Sequence, residues 1–263
     1  MTSELAMAEE WFTVNKLTLN IKKTKFAVFS NDISRLKSIP DLTINGLKID
    51  RIGINQDEKT VKFLGINIDD SCNFISHVDK IKSNLSRGLY QLAISKENTP
   101  MRVRLNMYRA LFESHLRFGN IIFGSTPDFK IYELLILQKT AVRYILNTYY
   151  RAHTDPLFSF LKLLKVRDLI LSARATFVHQ YRSGHLPSSF HRKYFECIKP
   201  ENCGRREDPL CMIVPPTTSK ILERSPYVLL CRDWNSLPFS IRSIAKLSEF
   251  KKGIDQPPTQ QIW

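Results

Sequence analysis

The sequence predicts an α+β fold, and three features carry that reading. Segments of β-type composition broken by turn residues fill positions 20 to 70. Apolar residues then recur every three or four positions from 76 to 183, the spacing that places them on one face of a helix. From 186 onward prolines and short polar runs dominate, as in an irregular lobe. The expected divisions are therefore 1–75 (strands and a hairpin), 76–185 (a helical bundle) and 186–263 (irregular, with a frayed end after Asp255).

Taken in order, Thr24-Lys25-Phe26-Ala27-Val28-Phe29 reads as a strand. Leu42-Thr43-Ile44 and Leu47-Lys48-Ile49 flank Asn45-Gly46, a dipeptide that tolerates the positive φ angles of a tight hairpin turn. In Thr60 to Ile68, Val61 and Phe63 alternate and the phase resumes at Ile66 and Ile68, so Gly65 marks a bulge or a turn. Val78, Ile81, Leu85, Leu89 and Leu92 define the first long helix, behind a Ser76-x-x-Asp79 capping pattern. Thr99-Pro100 opens a second helix through Leu105, Tyr108, Leu111, Phe112 and Leu116. A third spans about 129 to 147, Asp155-Pro156 starts a short fourth, and Val166 to Arg182 forms a fifth that ends before Gly184.

At 263 residues, 43% hydrophobic and 24% charged, the chain has the composition of a globular protein. Lysine and arginine number 39 against 25 acidic residues, a net charge of +14. The pI is 9.6. Such an excess attracts a polyanion, because each cation placed near a phosphate releases condensed counterions. Glu4, Glu9 and Glu10 stand where a secretory leader would be apolar, and no apolar run is long enough to span a bilayer. The five cysteines Cys72, Cys197, Cys203, Cys211 and Cys231 are then expected as reduced thiols in a nuclear or cytoplasmic setting, with no membrane partner.

Little in the sequence supports small-molecule catalysis. Asp69-Asp70 follows a strand and offers two carboxylates for Mg²⁺, but a two-metal site needs a third from another strand and none stands out. Capping of the strand end is the preferred reading of that pair. Cys197, Cys203 and Cys211 have five and seven residues between them, with His191 upstream, wider gaps than zinc sites favour, so no metal site is expected. Serines and histidines lack a nucleophile-elbow or H-E-x-x-H context, and no phosphate-binding G-x-x-x-x-G-K-[ST] loop is present. What remains is binding. Cations interleave with rings in Lys22-Lys23-Thr24-Lys25-Phe26, in Arg102-Val103-Arg104 to Tyr108-Arg109, and in Lys139 to Arg143-Tyr144, a pattern suited to a nucleic-acid groove. The bland alternative, a solvated helix face with core rings behind it, is the better one for any single residue.

Several collinear segments resemble the carboxy-terminal half of the reverse transcriptase of jockey- and CR1-type non-LTR (LINE-type) retrotransposons. Trp11-Phe12-Thr13-Val14-Asn15-Lys16-Leu17-Thr18-Leu19-Asn20-Ile21-Lys22-Lys23-Thr24 is similar to the family's W-x-x-x-N-K-L-x-L-N-x-x-K-T. Lys62-Phe63-Leu64-Gly65-Ile66-x-Ile68-Asp69 is similar to K-F-L-G-I-x-I-D, with His77 ahead of a basic helix. Tyr108-Arg109-Ala110-Leu111, Phe118-Gly119, Gln138-Lys139-x-Ala141-x-Arg143 and Pro156-Leu157-Phe158 before Leu163-Leu164-x-Val166 follow. Trp234-Asn235-x-Leu237-Pro238-x-x-Ile241-Arg242 closes the set.

The resemblance implies a partial palm over 1–75, a thumb-like helical domain over 76–185, and RNA or an RNA–DNA hybrid as partner. Lys23 matches the motif-D lysine placed near the leaving pyrophosphate. Lys62, Phe63, Leu64 and Gly65 match the primer-grip hairpin. Lys80, Lys82, Arg87, Arg102, Arg104, Arg109, Lys139 and Arg143 are the expected phosphate contacts of the thumb. The family holds Mg²⁺ with an F-A-D-D hairpin and an earlier strand aspartate that precede the segment like Trp11 to Thr24, and no F-A-D-D run occurs here. No cofactor is then expected in this chain, and it is expected to hold nucleic acid without polymerising DNA alone. A domesticated nucleic-acid-binding or protein-interaction module and a non-functional remnant with exposed sheet edges are the alternatives.

Overall fold

The computed structural model describes residues 2–29, 40–44, 46–53, 59–69, 71–187 and 210–255. It is an α+β structure that divides into two compact units, Met1–His77 and Val78–Trp263.

In the first unit, helix α1 (Thr2–Val14) is followed by a 3₁₀ turn (Ile21–Lys23) and six short strands: β1 (Lys25–Ala27), β2 (Thr43–Ile44), β3 (Leu47–Lys48), β4 (Asp50–Ile52), β5 (Thr60–Phe63) and β6 (Ile66–Asp69). They form three separate two-stranded sheets: β1 with β4 in parallel, β2 with β3 and β5 with β6 as antiparallel hairpins. The expected β2–β3 hairpin is present, with Gly46 at φ 71°; Asn45 lies outside the described residues. Leu42, Ile44 and Ile49 are buried and packed by Leu5, Leu19 and Phe26. Asn15-Lys16-Leu17 closes α1: Lys16 takes φ 55°, its amide donates to Thr13 O at 3.0 Å and the Leu17 amide to Phe12 O at 2.9 Å. This paired closure satisfies carbonyls that a helix end leaves free. It gives Asn-Lys-Leu a structural reason to stand there.

Helix α2 (Ile75–Ser95) begins at the boundary between the units. The Ser76-x-x-Asp79 capping expectation is corrected. Asn73 Oδ1 accepts from the Ile75 amide at 2.9 Å, and Asp79 reaches Lys130 Nζ at 2.6 Å instead. The second unit continues with α3 (Met101–Tyr108), a π-helical turn (Arg109–Glu113), α4 (Ser114–Arg117), α5 (Asn120–Phe123), α6 (Asp128–Leu146), α7 (Asp155–Leu161) and α8 (Val166–Arg182). Gly88 lets α2 approach the π turn: a Cβ there would meet Leu111 Cβ at 3.1 Å and Phe112 Cε2 at 3.2 Å.

The expected irregular lobe is also corrected over the residues described. Helices α9 (Lys220–Glu223), α10 (Pro226–Ser236), α11 (Phe239–Arg242) and α12 (Leu247–Ile254) follow, and α10 and α12 pack on α8. Pro226 and Pro238 start helices rather than break them, since a proline loses no hydrogen bond where a helix begins. Ser225 Oγ accepts from the Val228 amide at 3.4 Å, the capping bond for that start. Buried Trp234, Leu230, Cys231 and Phe250 pack with Ala175, Val178 and Met212. Trp234 Nε1 donates to Leu210 O at 2.7 Å. The Asn235 amide accepts from Met212 N at 2.8 Å and donates to Met212 O at 2.7 Å. The Trp234-Asn235 pair is thus a packing device that straps residues 210–212 to α10.

Candidate nucleic-acid interface

The two-residue turn of the β5–β6 hairpin uses Leu64 at φ 45° and Gly65 at φ 90°. Two positive φ angles in succession match the twist of the flanking strands, so Gly65 is a turn residue and not a bulge. The turn leaves Phe63 61% and Leu64 80% exposed, with Lys62 exposed beside them. These exposed apolar residues at the hairpin tip do not contribute to the core. The base of the hairpin is tied down. His77, buried, accepts at Nδ1 from the Asn67 amide at 3.3 Å. Lys23 is exposed at the end of its 3₁₀ turn.

Asp69 behaves as a strand-end cap. Its Oδ1 accepts from Ser71 Oγ at 2.9 Å and from the Asn73 amide at 3.0 Å. Asp70, Cys197, Cys203 and His191 lie outside the described residues. Among the described residues no three or more His, Cys, Asp or Glu gather as metal ligands.

In the helical unit the expected cations separate into kinds. Lys80, Arg87, Arg102 and Arg109 are exposed; Arg87 also bonds Asn84 one turn back. Lys82 pairs with Glu133 Oε2 at 2.8 Å, joining α2 to α6. That bond holds the Glu133 carboxyl below the usual carboxylate range, and the bond to Asp79 raises Lys130 above an ordinary lysine. Arg104 does not fit a phosphate contact. It is 8% exposed, its Nε donates to Ile145 O at 2.9 Å, and its Nη1 donates to Lys96 O and Thr99 O. It closes three backbone carbonyls that would otherwise be left without donors. Tyr108 is likewise core rather than a stacking ring, as is Phe26 in the first unit.

The Gln138-Lys139-x-Ala141-x-Arg143 segment combines these behaviours on α6. Gln138 is fully buried. Its Nε2 donates to Tyr108 Oη at 2.7 Å and to Leu164 O at 2.8 Å, and its Oε1 accepts from the Val166 amide at 2.9 Å. A backbone amide on one side and a carbonyl on the other fix which end of the side chain is which. Burial raises the Tyr108 hydroxyl pKa well above an ordinary tyrosine. Lys139 is half-buried at the surface. Arg143 Nε donates to Ala152 O at 3.0 Å, so this cation anchors the loop after α6.

That loop holds residues the sequence reading did not single out. Tyr149 and Tyr150 are 65% and 62% exposed, edge to face at 4.6 Å between ring centres, and Arg151 lies 5.1 Å from the Tyr150 ring. The signal was available as two successive tyrosines and an arginine just after Asn147, a residue that ends helices readily by adopting positive φ. Phe129, Tyr132 and Ile136 are also exposed on α6 itself.

Comparison of the chain with protein-family models, with curated proteins and with solved structures finds no match.

Proposed function

We propose that this chain is part of the RNA-directed DNA polymerase of a non-LTR retrotransposon, and that its role is to grip RNA or an RNA–DNA hybrid rather than to join nucleotides. The observation that carries the reading is the set of cations left at the surface after the structural ones are removed. Lys80, Arg87, Arg102 and Arg109 remain exposed in the helical unit, within a chain of net charge +14. Exposed cations without an acidic partner break no ion pair on meeting a phosphate backbone, whereas paired or buried ones must first lose their partners. The exposed hairpin tip from Lys62 to Gly65 adds an apolar contact of the kind a primer end would meet, and Lys23 is free at its turn to approach a triphosphate. Mg²⁺-dependent transfer is assigned to carboxylates of the F-A-D-D type, a motif this sequence does not contain.

The test is a native gel with labelled hybrid and a parallel incorporation assay with dNTPs and Mg²⁺. Retarded hybrid with no incorporation is expected. Incorporation by protein free of contaminating polymerase, or failure to retard any nucleic acid at low salt, would overturn the proposal. Joined in one chain to a palm that supplies the acidic motif, the protein is expected to extend a primer and to lose rate in Lys23→Ala.

A further inference from the structure

The loop between α6 and α7 is unusually well held for a segment that carries two exposed rings. The Thr148 amide donates to Arg143 O at 3.1 Å, the Ala152 amide to Tyr149 O at 3.0 Å, and Arg143 Nε to Ala152 O at 3.0 Å. Asn147 reverses the chain at φ 50°, and its own amide donates to Tyr144 O at 3.3 Å. These bonds fix the backbone on both sides of Tyr149 and Tyr150, so the rings are presented from a rigid base and lose little freedom on contact.

The surroundings select the partner. From 139 to 168 the charged residues are Lys139, Arg143, Arg151, Lys162, Lys165 and Arg167 against Asp155 and Asp168. Asp155 is itself neutralised by Lys165 Nζ at 2.9 Å, and Lys139 and His153 lie close enough to act on it as well. A protein interface of mixed charge would find few acidic residues here to pair with. A phosphate backbone would meet Arg151 beside the rings and a segment in which cations outnumber carboxylates. Bases stacked in a duplex have their faces covered, whereas bases of an unpaired strand offer a face to each ring.

We propose that Tyr149 and Tyr150, braced by Arg143 and flanked by Arg151, form a stacking platform for unpaired bases of a single strand. The proposal rests on the nucleic-acid-binding reading above and adds a preference that reading does not require. Arg143 acts as a positioning residue, through the loop rather than by touching a base.

The experiment uses the whole chain and three labelled probes of one sequence: single-stranded RNA, single-stranded DNA and blunt RNA–DNA hybrid. A 2-aminopurine in the single strands reports stacking by loss of fluorescence. Tyr149→Ala with Tyr150→Ala is expected to weaken single-strand binding by about tenfold or more, to abolish the quenching, and to leave hybrid affinity unchanged. Tyr149→Phe with Tyr150→Phe keeps both rings and is expected to bind as the unaltered chain does. Arg143→Lys keeps the charge but loses the Nε bond, and is expected to reduce quenching. The RNA and DNA arms show which kind of strand the platform prefers. If the alanine pair binds single strands as tightly as before, or weakens hybrid equally, the platform is wrong while the binding reading stands. If the unaltered chain binds none of the probes, both are wrong.

Discussion

Met1–His77 and Val78–Trp263 are stabilised in different ways, and the contrast explains where each can act. In the first, a small apolar cluster around Leu42, Ile44 and Ile49 takes in Phe26 of β1 and Ile44 of β2 but no residue of the β5–β6 hairpin, the third of its two-stranded sheets. Two-stranded sheets are marginal by themselves, because each leaves backbone donors and acceptors without a ladder partner. In the second, α8 touches α4, α5, α6, α10 and α12, and buried side chains such as Gln138 and Arg104 close backbone groups that packing would otherwise strand. The helical unit therefore has a rigid interior against which surface cations can be aimed. The amino-terminal unit offers an exposed hairpin on a thin support.

The largest effect expected from breaking this contrast is in Gln138→Leu. The leucine fits the volume, but leaves the Val166 amide and the Leu164 carbonyl buried without partners, a loss of about 2–4 kcal/mol. Urea unfolding followed by Trp234, which is buried in the helical unit, should show the drop, while the environment of Trp11 in the other unit should not change. An unchanged midpoint would mean the network does not hold the unit together.

Next in size is a matched pair two residues apart. Arg104→Ala should cost about 2–3 kcal/mol of stability, because three carbonyls lose a charged donor. Arg102→Ala should stay within about 0.5 kcal/mol. Equal losses would erase the distinction between structural and surface cations. Smaller again, Leu64→Asn should stabilise the hairpin by about 1 kcal/mol, since asparagine takes positive φ more readily than leucine. The same change should weaken hybrid binding if the tip makes contact. A more stable chain with unaltered binding would remove Leu64 from the interface.

The smallest expected effect is in acid. The Lys165 partner lowers the folded-state pKa of Asp155, so its contribution is present above the unfolded carboxyl pKa and is lost as pH falls through the folded value. Asp155 is largely exposed, which limits the contribution to that of a surface pair. Asp155→Asn should flatten only the acid limb of a stability–pH curve measured by thermal melting.

Much of the fold was legible in the sequence because its signals were periodic. Val78, Ile81, Leu85 and Leu92 are all buried on α2, and the phase break at Gly65 is the hairpin turn. The elements that differ from expectation lie at helix starts, where neighbouring polar residues compete for the same free amides. Pro226 and Pro238 resemble breakers by composition, yet each stands where a helix begins, and Ser225 Oγ caps the start at Pro226. Ser76 looked like a cap until Asn73 took the free amide. In the candidate interface, Arg102, Arg104 and Arg109 look alike as letters. The carbonyls of Lys96 and Thr99, with that of Ile145 brought in by tertiary structure, turn Arg104 inward. Tyr149 and Tyr150 were missed because a loop carries no period.

The most direct test of the claim that surface cations of the helical unit grip nucleic acid is the salt dependence of hybrid affinity, measured by anisotropy. The logarithm of the association constant should fall steeply and linearly with the logarithm of salt. The slope should drop by about two in Arg102→Gln with Arg109→Gln, roughly one for each phosphate contact removed. A slope near zero in the unaltered chain, or one the double substitution does not change, would contradict the account.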